Sequence, residues 1–430
     1  MKATVRRSGL KGEINAPPSK SYTHRAIAIA ALAKRSEILF PLISGDTKAT
    51  INAAKSLGAT VEVEQARKIT IEGTDGRPET PEDVLNAENS GTTLRFFTAI
   101  SGLCEGAAVL TGDASLRKRP NSPLLNSLND LGSEAFSTKG DGTAPIVVKG
   151  RLKGGETTMD SSISSQFISA LLIACPLVEK DCYITANNLA SVPYMEVTIE
   201  VLEKAGIEVP FSRSANDYSF HVEGGRSYEL QRFTVPGDFS SASYPLAAAV
   251  ITDSELKMRN LFPSAQGDSR IVAILKEMGV DIRWDSESGI VAVKGAKGTL
   301  KGIRVDMREN PDLVPTVAVL AAVADGITEI IGVAHLRYKE TDRLKLIAEE
   351  LKKMSARIEE KEDGLRIEGK NELKAVKVYS HDDHRLAMAL TIAALSAHGE
   401  TVIEDVECAK ISYPAFFEDM LKLGADIDIR

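Results

Sequence analysis

AAKSLGATVEV, residues 53–63, decides the fold. Its first half reads as a helix end, Gly58 as a turn, and Val61 and Val63 alternate with polar residues as in a half-buried strand. The same order returns as LNDLGSEAF at 128–136, LEKAGIEV at 202–209, LKEMGVDIRW at 275–284, LKKMSARIEE at 351–360 and LKLGADIDI at 421–429. The turn residues are Gly58, Gly132, Gly206, Gly279, Ser355 and Gly424, so the steps are 74, 74, 73, 76 and 69 residues. Gly takes the left-handed conformation that ends a helix. Ser355 in the fifth turn predicts local strain.

A second pattern interleaves with the first. Nearly all-apolar helices are expected from Arg25 (RAIAIAALA), Arg95 (RFFTAISGL), Gln166 (QFISALLIA), Ser243 (SYPLAAAVI), Thr316 (TVAVLAAVA) and Arg385 (RLAMALTIAALSA). A helix apolar on every side is buried. Each unit therefore holds one buried helix, one amphipathic helix and several short strands, too long a period for a thin solenoid. The division into two groups of three falls near QRFTVPGD at 231–238. The first strand, near residues 2–15, is free to pair with the second half.

At 430 residues, 43% hydrophobic and 26% charged, the chain is an ordinary globular composition with a real core. A net charge of −8 argues against nucleic acid as a partner. Cys104, Cys175, Cys182 and Cys408 form no CxxC pair and no metal spacing, and suit a reducing compartment. MKATVRRSGL lacks the apolar core of a signal peptide, and ALLIACPLV at 170–178 is too short to span a bilayer. The expectation is a cytoplasmic chain with no membrane partner.

The polar starts of the buried helices carry the chemistry. They read PPSKSYTHR (17–25), NSGTTLR (89–95), SSISSQF (161–167), PGDFSSAS (236–243), NPDLVPT (310–316) and HDDHR (381–385). Arg25, Arg95 and Arg385 are expected in first turns, where the helix dipole disfavours a cation. An anionic ligand at the helix N-terminus resolves that conflict. The loops LRKRPNSP, RYKETDR and CAKISYP add Arg117, Lys118, Arg119, Lys339, Arg343 and Lys410. Lys339 and Arg343, four apart, share a face if that segment is helical. No P-loop, dinucleotide fingerprint or nucleophile elbow is present. HDDH lacks a second ligand cluster, so a capping and hydrogen-bonding role is expected there rather than a metal.

PPSKSYTHRA, NSGTTLR, KRP, SSQF, NPD, YKETDR, DDHR and CAK, in this order from about residue 14 to 418, resemble the signature segments of the 5-enolpyruvylshikimate-3-phosphate synthase family. The resemblance implies an α/β fold of two similar domains with a hinge between them. Each domain has three βαβαββ repeats of the inside-out α/β barrel type. Residues 1–15 plus 235–430 would form the C-terminal domain and 16–234 the N-terminal one. It implies a transferase of aromatic amino-acid and chorismate biosynthesis, a monomer without cofactor or metal, and a glyphosate target. Its substrates would be phosphoenolpyruvate and shikimate 3-phosphate. By matching motif, Lys20, Gly91, Arg119, Gln166, Arg343, Arg385 and Lys410 would hold phosphoenolpyruvate. Lys20, Ser21, Arg25, Ser164, Ser165, Gln166, Ser191, Asp312, His335 and Lys339 would hold shikimate 3-phosphate, with Tyr194 near its ring. With cations on both halves of the chain, ligand is expected to close the hinge.

The reaction needs a base at the attacked hydroxyl and an acid at the C3 carbon of phosphoenolpyruvate. The resemblance gives these roles to Asp312 and Glu340, with Lys20 assisting and His384, Arg119 and Lys410 stabilising the leaving phosphate. One position departs from the family: His335 stands where many members carry Asn, which adds an expected pH sensitivity. The related UDP-N-acetylglucosamine enolpyruvyltransferases carry a reactive Cys in the loop that reads TGDASLRKRP here, and this loop has none. A non-catalytic anion-binding protein on the same fold is the other alternative. Joint retention of Asp312, Glu340 and Lys20 argues against it.

Overall fold

The computed structural model describes residues 1–64, 67–295, 298–369 and 372–430. Each apolar run is a helix with no face left for water. These helices are Lys20–Leu32, Gly91–Ser101, Gln166–Ala174, Phe239–Ile251, Val314–Val323 and His384–Ser396. The fifth is buried without a break from Val314 to Ala322. The amphipathic helices are Gly45–Ser56, Ser122–Asp130, Val192–Lys204, Ile271–Glu277, Arg343–Lys353 and Phe416–Lys422. In Arg343–Lys353, Leu344, Ile347, Ala348 and Leu351 are buried at helical spacing, while Lys345, Glu349 and Lys352 face solvent.

The turns after the amphipathic helices are left-handed in every copy. Gly58, Gly132, Gly206, Gly279 and Gly424 have φ of 100°, 103°, 82°, 91° and 99°. Ser355 has φ of 74°. Its Cβ makes that conformation cost about 1–2 kcal/mol. The surrounding repeat therefore imposes the turn on a residue that does not favour it.

Among the described residues the strands form six four-stranded sheets of one pattern. In one of them, Arg35–Leu39 runs parallel to Arg232–Thr234 and antiparallel to Lys68–Glu72, which pairs antiparallel with Thr60–Glu64. Ile38 faces Ile69 and Val61 faces Ile71 across these ladders, so the apolar residues of alternate positions share the buried side. In three sheets two helices connect four consecutive strands, giving βαβαββ, and in the other three one strand comes from the far end of its unit.

The chain divides into two compact units, Met1–Pro17 with Pro236–Arg430, and Pro18–Val235. Each closes on itself with a strand from the far end of its segment. In Pro18–Val235 that strand is Arg232–Thr234. In the other unit Lys11–Asn15 runs parallel to Glu255–Arg259, and Lys2–Arg6 lies antiparallel between Glu400–Glu404 and Asp426–Ile429. Closure leaves these helices buried within each unit.

Candidate active site

In the unit Pro18–Val235, Lys20 opens the first buried helix and its ammonium lies 3.0 Å from Asp46 Oδ2. Asp46, in the first turn of Gly45–Ser56, escaped the sequence reading. There it looks like any carboxylate favoured by a helix dipole. Arg25 and Arg95 correct the sequence expectation. Their helices begin earlier, at Lys20 and Gly91, so both arginines lie in the second turn. They still serve the helix start, because a helical side chain leans toward the N-terminus. Arg25 Nη1 donates to the Ser21 carbonyl at 3.0 Å, one turn back.

Arg25 is 2% exposed, and among the described residues none of its hydrogen-bond partners is a carboxylate. Its Nε donates to Thr198 Oγ1 at 2.7 Å and its Nη2 to the Tyr194 carbonyl at 2.7 Å. Tyr194 thus meets this site through its backbone. The guanidinium lies 5.3 Å from the centre of the Phe96 ring. Burial pulls the Arg25 pKa down to about 10. Arg95 repeats the device one helix on: it lies 4.8 Å from the Phe167 ring centre and donates to Gln166 Oε1 at 2.7 Å and Ser164 Oγ at 3.2 Å.

Gly91 sits where these groups meet. A Cβ at this position would lie 3.1 Å from Arg119 Nη1, 3.6 Å from Gln166 Oε1 and 3.7 Å from Arg95 Nη1. Gly91 is the first residue of its helix and is absent from the left-handed residues, so no turn angle demands a glycine. Space does. Arg119 is held from behind by Asn89 Oδ1 at 3.0 Å. Gln166 is tied to Thr92 Oγ1 at 2.9 Å, which joins the starts of two buried helices. Ser164 and Ser165 are buried just before Gln166. Ser191, before Val192–Lys204, is buried and left-handed at φ 58°. Strain of this kind collects at ligand-facing turns.

The other unit holds a network of opposite charges. Arg343, 1% exposed, donates from Nε to Asp383 Oδ2 at 2.7 Å, from Nη1 to Asp312 Oδ1 at 3.1 Å, and from Nη2 to Glu340. Arg385 reaches the second oxygen of Asp312 at 2.6 Å and Ser240 Oγ at 3.2 Å. Asp383 also caps its own helix by accepting from the Arg385 amide at 2.9 Å, and Thr341 donates to it at 3.0 Å. Asp383 and Ser240 went unnoticed in the sequence because each reads as an ordinary cap. Burial pushes the Asp312 carboxyl up, but Arg385, Arg343 and Lys339 together outweigh it and hold it well below the usual carboxylate range. The same carboxylates raise Arg343 against its own desolvation.

Carboxylates engage both Arg343 and Arg385. Two other expectations need correction. Lys339 and Arg343 do not share a helix face: Lys339 is extended, and the helix begins at Arg343 behind its cap Asp342. His335 is no sensor near neutral pH. Burial first, then Lys339, pull its pKa down to about 3, so it stays neutral. Lys410 is exposed on the short 3-10 turn Val406–Ile411 and makes no ion pair among the described residues. His384 is buried as the first residue of its helix. His381 turns away to Glu350 at 2.7 Å. Among the described residues no group of three His, Cys, Asp or Glu could hold a metal ion, and no helix is long and apolar enough to cross a membrane.

Comparison with known proteins identifies the family. The family model described as EPSP synthase (3-phosphoshikimate 1-carboxyvinyltransferase) matches residues 5–420. The 3-phosphoshikimate 1-carboxyvinyltransferase of Methanococcoides burtonii is 54% identical over 428 residues, 99% of each chain. That of Methanocella arvoryzae is 51% identical over 430 residues, the whole of both. The solved structure of EPSP synthase from Acinetobacter baumannii superposes with a TM-score of 0.84 at 29% identity, covering 99% of each chain. By sequence over its whole length and by fold, the chain belongs to the EPSP synthase family.

Proposed function

We propose that this enzyme transfers the enolpyruvyl group of phosphoenolpyruvate to the 5-hydroxyl of shikimate 3-phosphate, releasing phosphate in the shikimate pathway. The observation that carries the reading is that one buried guanidinium, Arg343, holds Asp312 and Glu340 together. The reaction requires two carboxylates with opposite duties within reach of one substrate. Asp312 takes the proton of the 5-hydroxyl as its oxygen bonds to C2 of phosphoenolpyruvate. Glu340, which must enter the step protonated as phosphoenolpyruvate draws Arg343 away from it, delivers that proton to C3, which becomes a methyl group. In the second half the C2–phosphate bond breaks, C3 returns a proton to Glu340, the double bond reforms, and the proton held by Asp312 leaves with phosphate.

The ion pairs set the order of events. Asp312 between Arg343 and Arg385 is a weak base. Substrate anions that engage those arginines weaken their hold on Asp312, which raises its proton affinity as the hydroxyl arrives. Lys20, Gly91, Arg119 and Gln166 receive phosphoenolpyruvate. Ser21, Arg25, Ser164, Ser165 and Ser191 receive shikimate 3-phosphate, with His335 donating or accepting as a neutral imidazole. His384 and Lys410 serve the departing phosphate. The enzyme acts as a cytoplasmic monomer on this reading, since one chain supplies every named residue.

Phosphate release is the decisive measurement. It should require both phosphoenolpyruvate and shikimate 3-phosphate. Release with UDP-N-acetylglucosamine as acceptor, or none with either, would overturn the assignment.

A further inference from the structure

A buried chain of hydrogen bonds lies beneath the Lys20–Gly91 region. His24 Nδ1 is 2.6 Å from Thr50 Oγ1, Thr50 Oγ1 is 2.7 Å from Thr93 Oγ1, and the Thr93 hydroxyl donates to Ser90 Oγ at 2.7 Å. Ser90 caps the helix that Gly91 opens, accepting from the Thr93 amide at 3.1 Å. All four residues are at most 1% exposed. The chain crosses three helices: Lys20–Leu32, Gly45–Ser56 and Gly91–Ser101. The middle helix also carries Asp46, whose carboxylate holds Lys20 and whose carbonyl accepts from Thr93 at 3.4 Å.

The order of protons follows from the donor count. Thr93 spends its one hydroxyl proton on Ser90 at 2.7 Å rather than on the Asp46 carbonyl at 3.4 Å, so Thr50 donates to Thr93 at 2.7 Å rather than to that carbonyl at 3.3 Å. Thr50 then has no proton for His24, and His24 must donate through Nδ1–H. Its Nε2 is left buried and without a partner. An orphaned imidazole nitrogen is costly, and an apolar side chain would fill the same space without that cost. What an apolar residue lacks is the donor that completes the chain.

We propose that His24 is a positioning residue: as the Nδ1–H tautomer it acts through Thr50 and Thr93 on Ser90, and so fixes the start of the Gly91 helix against Lys20. The proposal rests on the reading of that region as the phosphoenolpyruvate site. Loss of the chain loosens the site without removing any group that touches substrate.

The test combines steady-state kinetics with nitrogen-15 NMR of the histidine-labelled enzyme. His24→Leu should raise the KM for phosphoenolpyruvate about tenfold, the scale of one buried hydrogen bond, and leave kcat within about threefold. Thr50→Val should do the same, and the double variant should be no worse than either single one. His24→Asn places an amide N–H where Nδ1–H stood and should restore the wild-type KM. NMR of the wild type should show His24 protonated on Nδ1. Protonation on Nε2, additive single effects, or an Asn variant as impaired as the Leu variant each overturn the proposal. If His24→Leu does not fold, Thr50→Val and the wild-type tautomer still decide it. A wild type that releases no phosphate from the two substrates overturns the underlying site reading, and the proposal with it.

Discussion

Arg25, in the unit Pro18–Val235, and Arg343, in the other, are nearly inaccessible, at 2% and 1% exposure. Arg25 rests on hydroxyls, carbonyls and the Phe96 ring, with no carboxylate among its hydrogen-bond partners in the described residues. Arg343 is shared by Asp312, Glu340 and Asp383. Burial therefore lowers the pKa of Arg25 to about 10, whereas the surrounding carboxylates raise that of Arg343. The first arrangement is a cation waiting for a charge to arrive with the ligand. The second is compensated before any ligand binds, and on the proposed reading its carboxylates are the groups that the reaction needs. That reading gives anion binding to the first unit and proton exchange to the second.

The largest expected effect breaks the proton-exchanging side. Asp312→Ala should lower turnover by roughly 10²–10⁴-fold, the range for loss of a general base. The KM for phosphoenolpyruvate should stay level or fall, because Arg343 and Arg385 lose a competing partner. Near-normal turnover in a folded Asp312→Ala enzyme would falsify the base role. A KM that rose in step with lost turnover would mean that Asp312 serves to place the arginines.

A pair of variants tests the charge contrast itself. Removing one partner of a buried ion network strands the others, at a cost of about 3–5 kcal/mol. Arg343→Met should destabilise the enzyme by that amount in urea unfolding. Arg25→Met should lie within about 1 kcal/mol of wild type or above it. Burial, which pulls its pKa down to about 10, costs Arg25 roughly 3 kcal/mol, and this is relieved along with the charge. Its cost should appear instead as weaker binding of shikimate 3-phosphate, by about 100-fold or more. Equal destabilisation by both variants would erase the distinction.

The repeats were plain in the sequence because periodicity, left-handed turns and apolar helices are local properties. Ser355 shows the strength of that grammar, adopting φ 74° without being glycine. The candidate anion-binding residues were picked out for the same reason, clustered as they are near helix starts. What sequence could not show was pairing between segments far apart in the chain. Asp383 meets Arg343 across 40 positions, and Asp312 meets Arg385 across 73. Each looks alone like a cap or an early-turn carboxylate. The second-turn placement of Arg25 and Arg95 was hidden too, because Ser-Tyr-Thr and Thr-Thr-Leu are neither clear caps nor clear helix.

His335 sharpens the comparison through pH. Its pKa is about 3 in the folded chain against an ordinary 6.5. Because the folded value is the lower one, its contribution to stability is complete above pH 6.5 and is lost as pH falls toward 3. At pH 5 the loss is about 2 kcal/mol. His335→Asn should remove that share, so the difference in stability between pH 7.5 and pH 5 should shrink. A variant that loses as much as wild type on acidification would show that His335 is not held neutral. Catalysis should show no inflection near pH 6.5 that His335→Asn abolishes.

The smallest effect tests the anion-binding side, at Gly91. Alanine here meets no backbone obstacle, and as a helix former it is favoured over glycine. Its methyl would stand 3.1 Å from Arg119 Nη1, a tight contact with the movable end of a side chain. The cost therefore belongs at the low end of overpacking, about 1 kcal/mol. Glyphosate is longer than phosphoenolpyruvate, so on the proposed reading it needs more of the space beside Gly91. Wild type should be inhibited by it, and Gly91→Ala should weaken that inhibition about tenfold while raising the KM for phosphoenolpyruvate only about twofold. Inhibition curves at matched phosphoenolpyruvate saturation separate two causes. Unequal losses mean that the methyl occupies ligand space, whereas equal losses mean that it acts by displacing Arg119, on which both ligands depend. Only the first outcome keeps Gly91 as a gap reserved for the incoming anion.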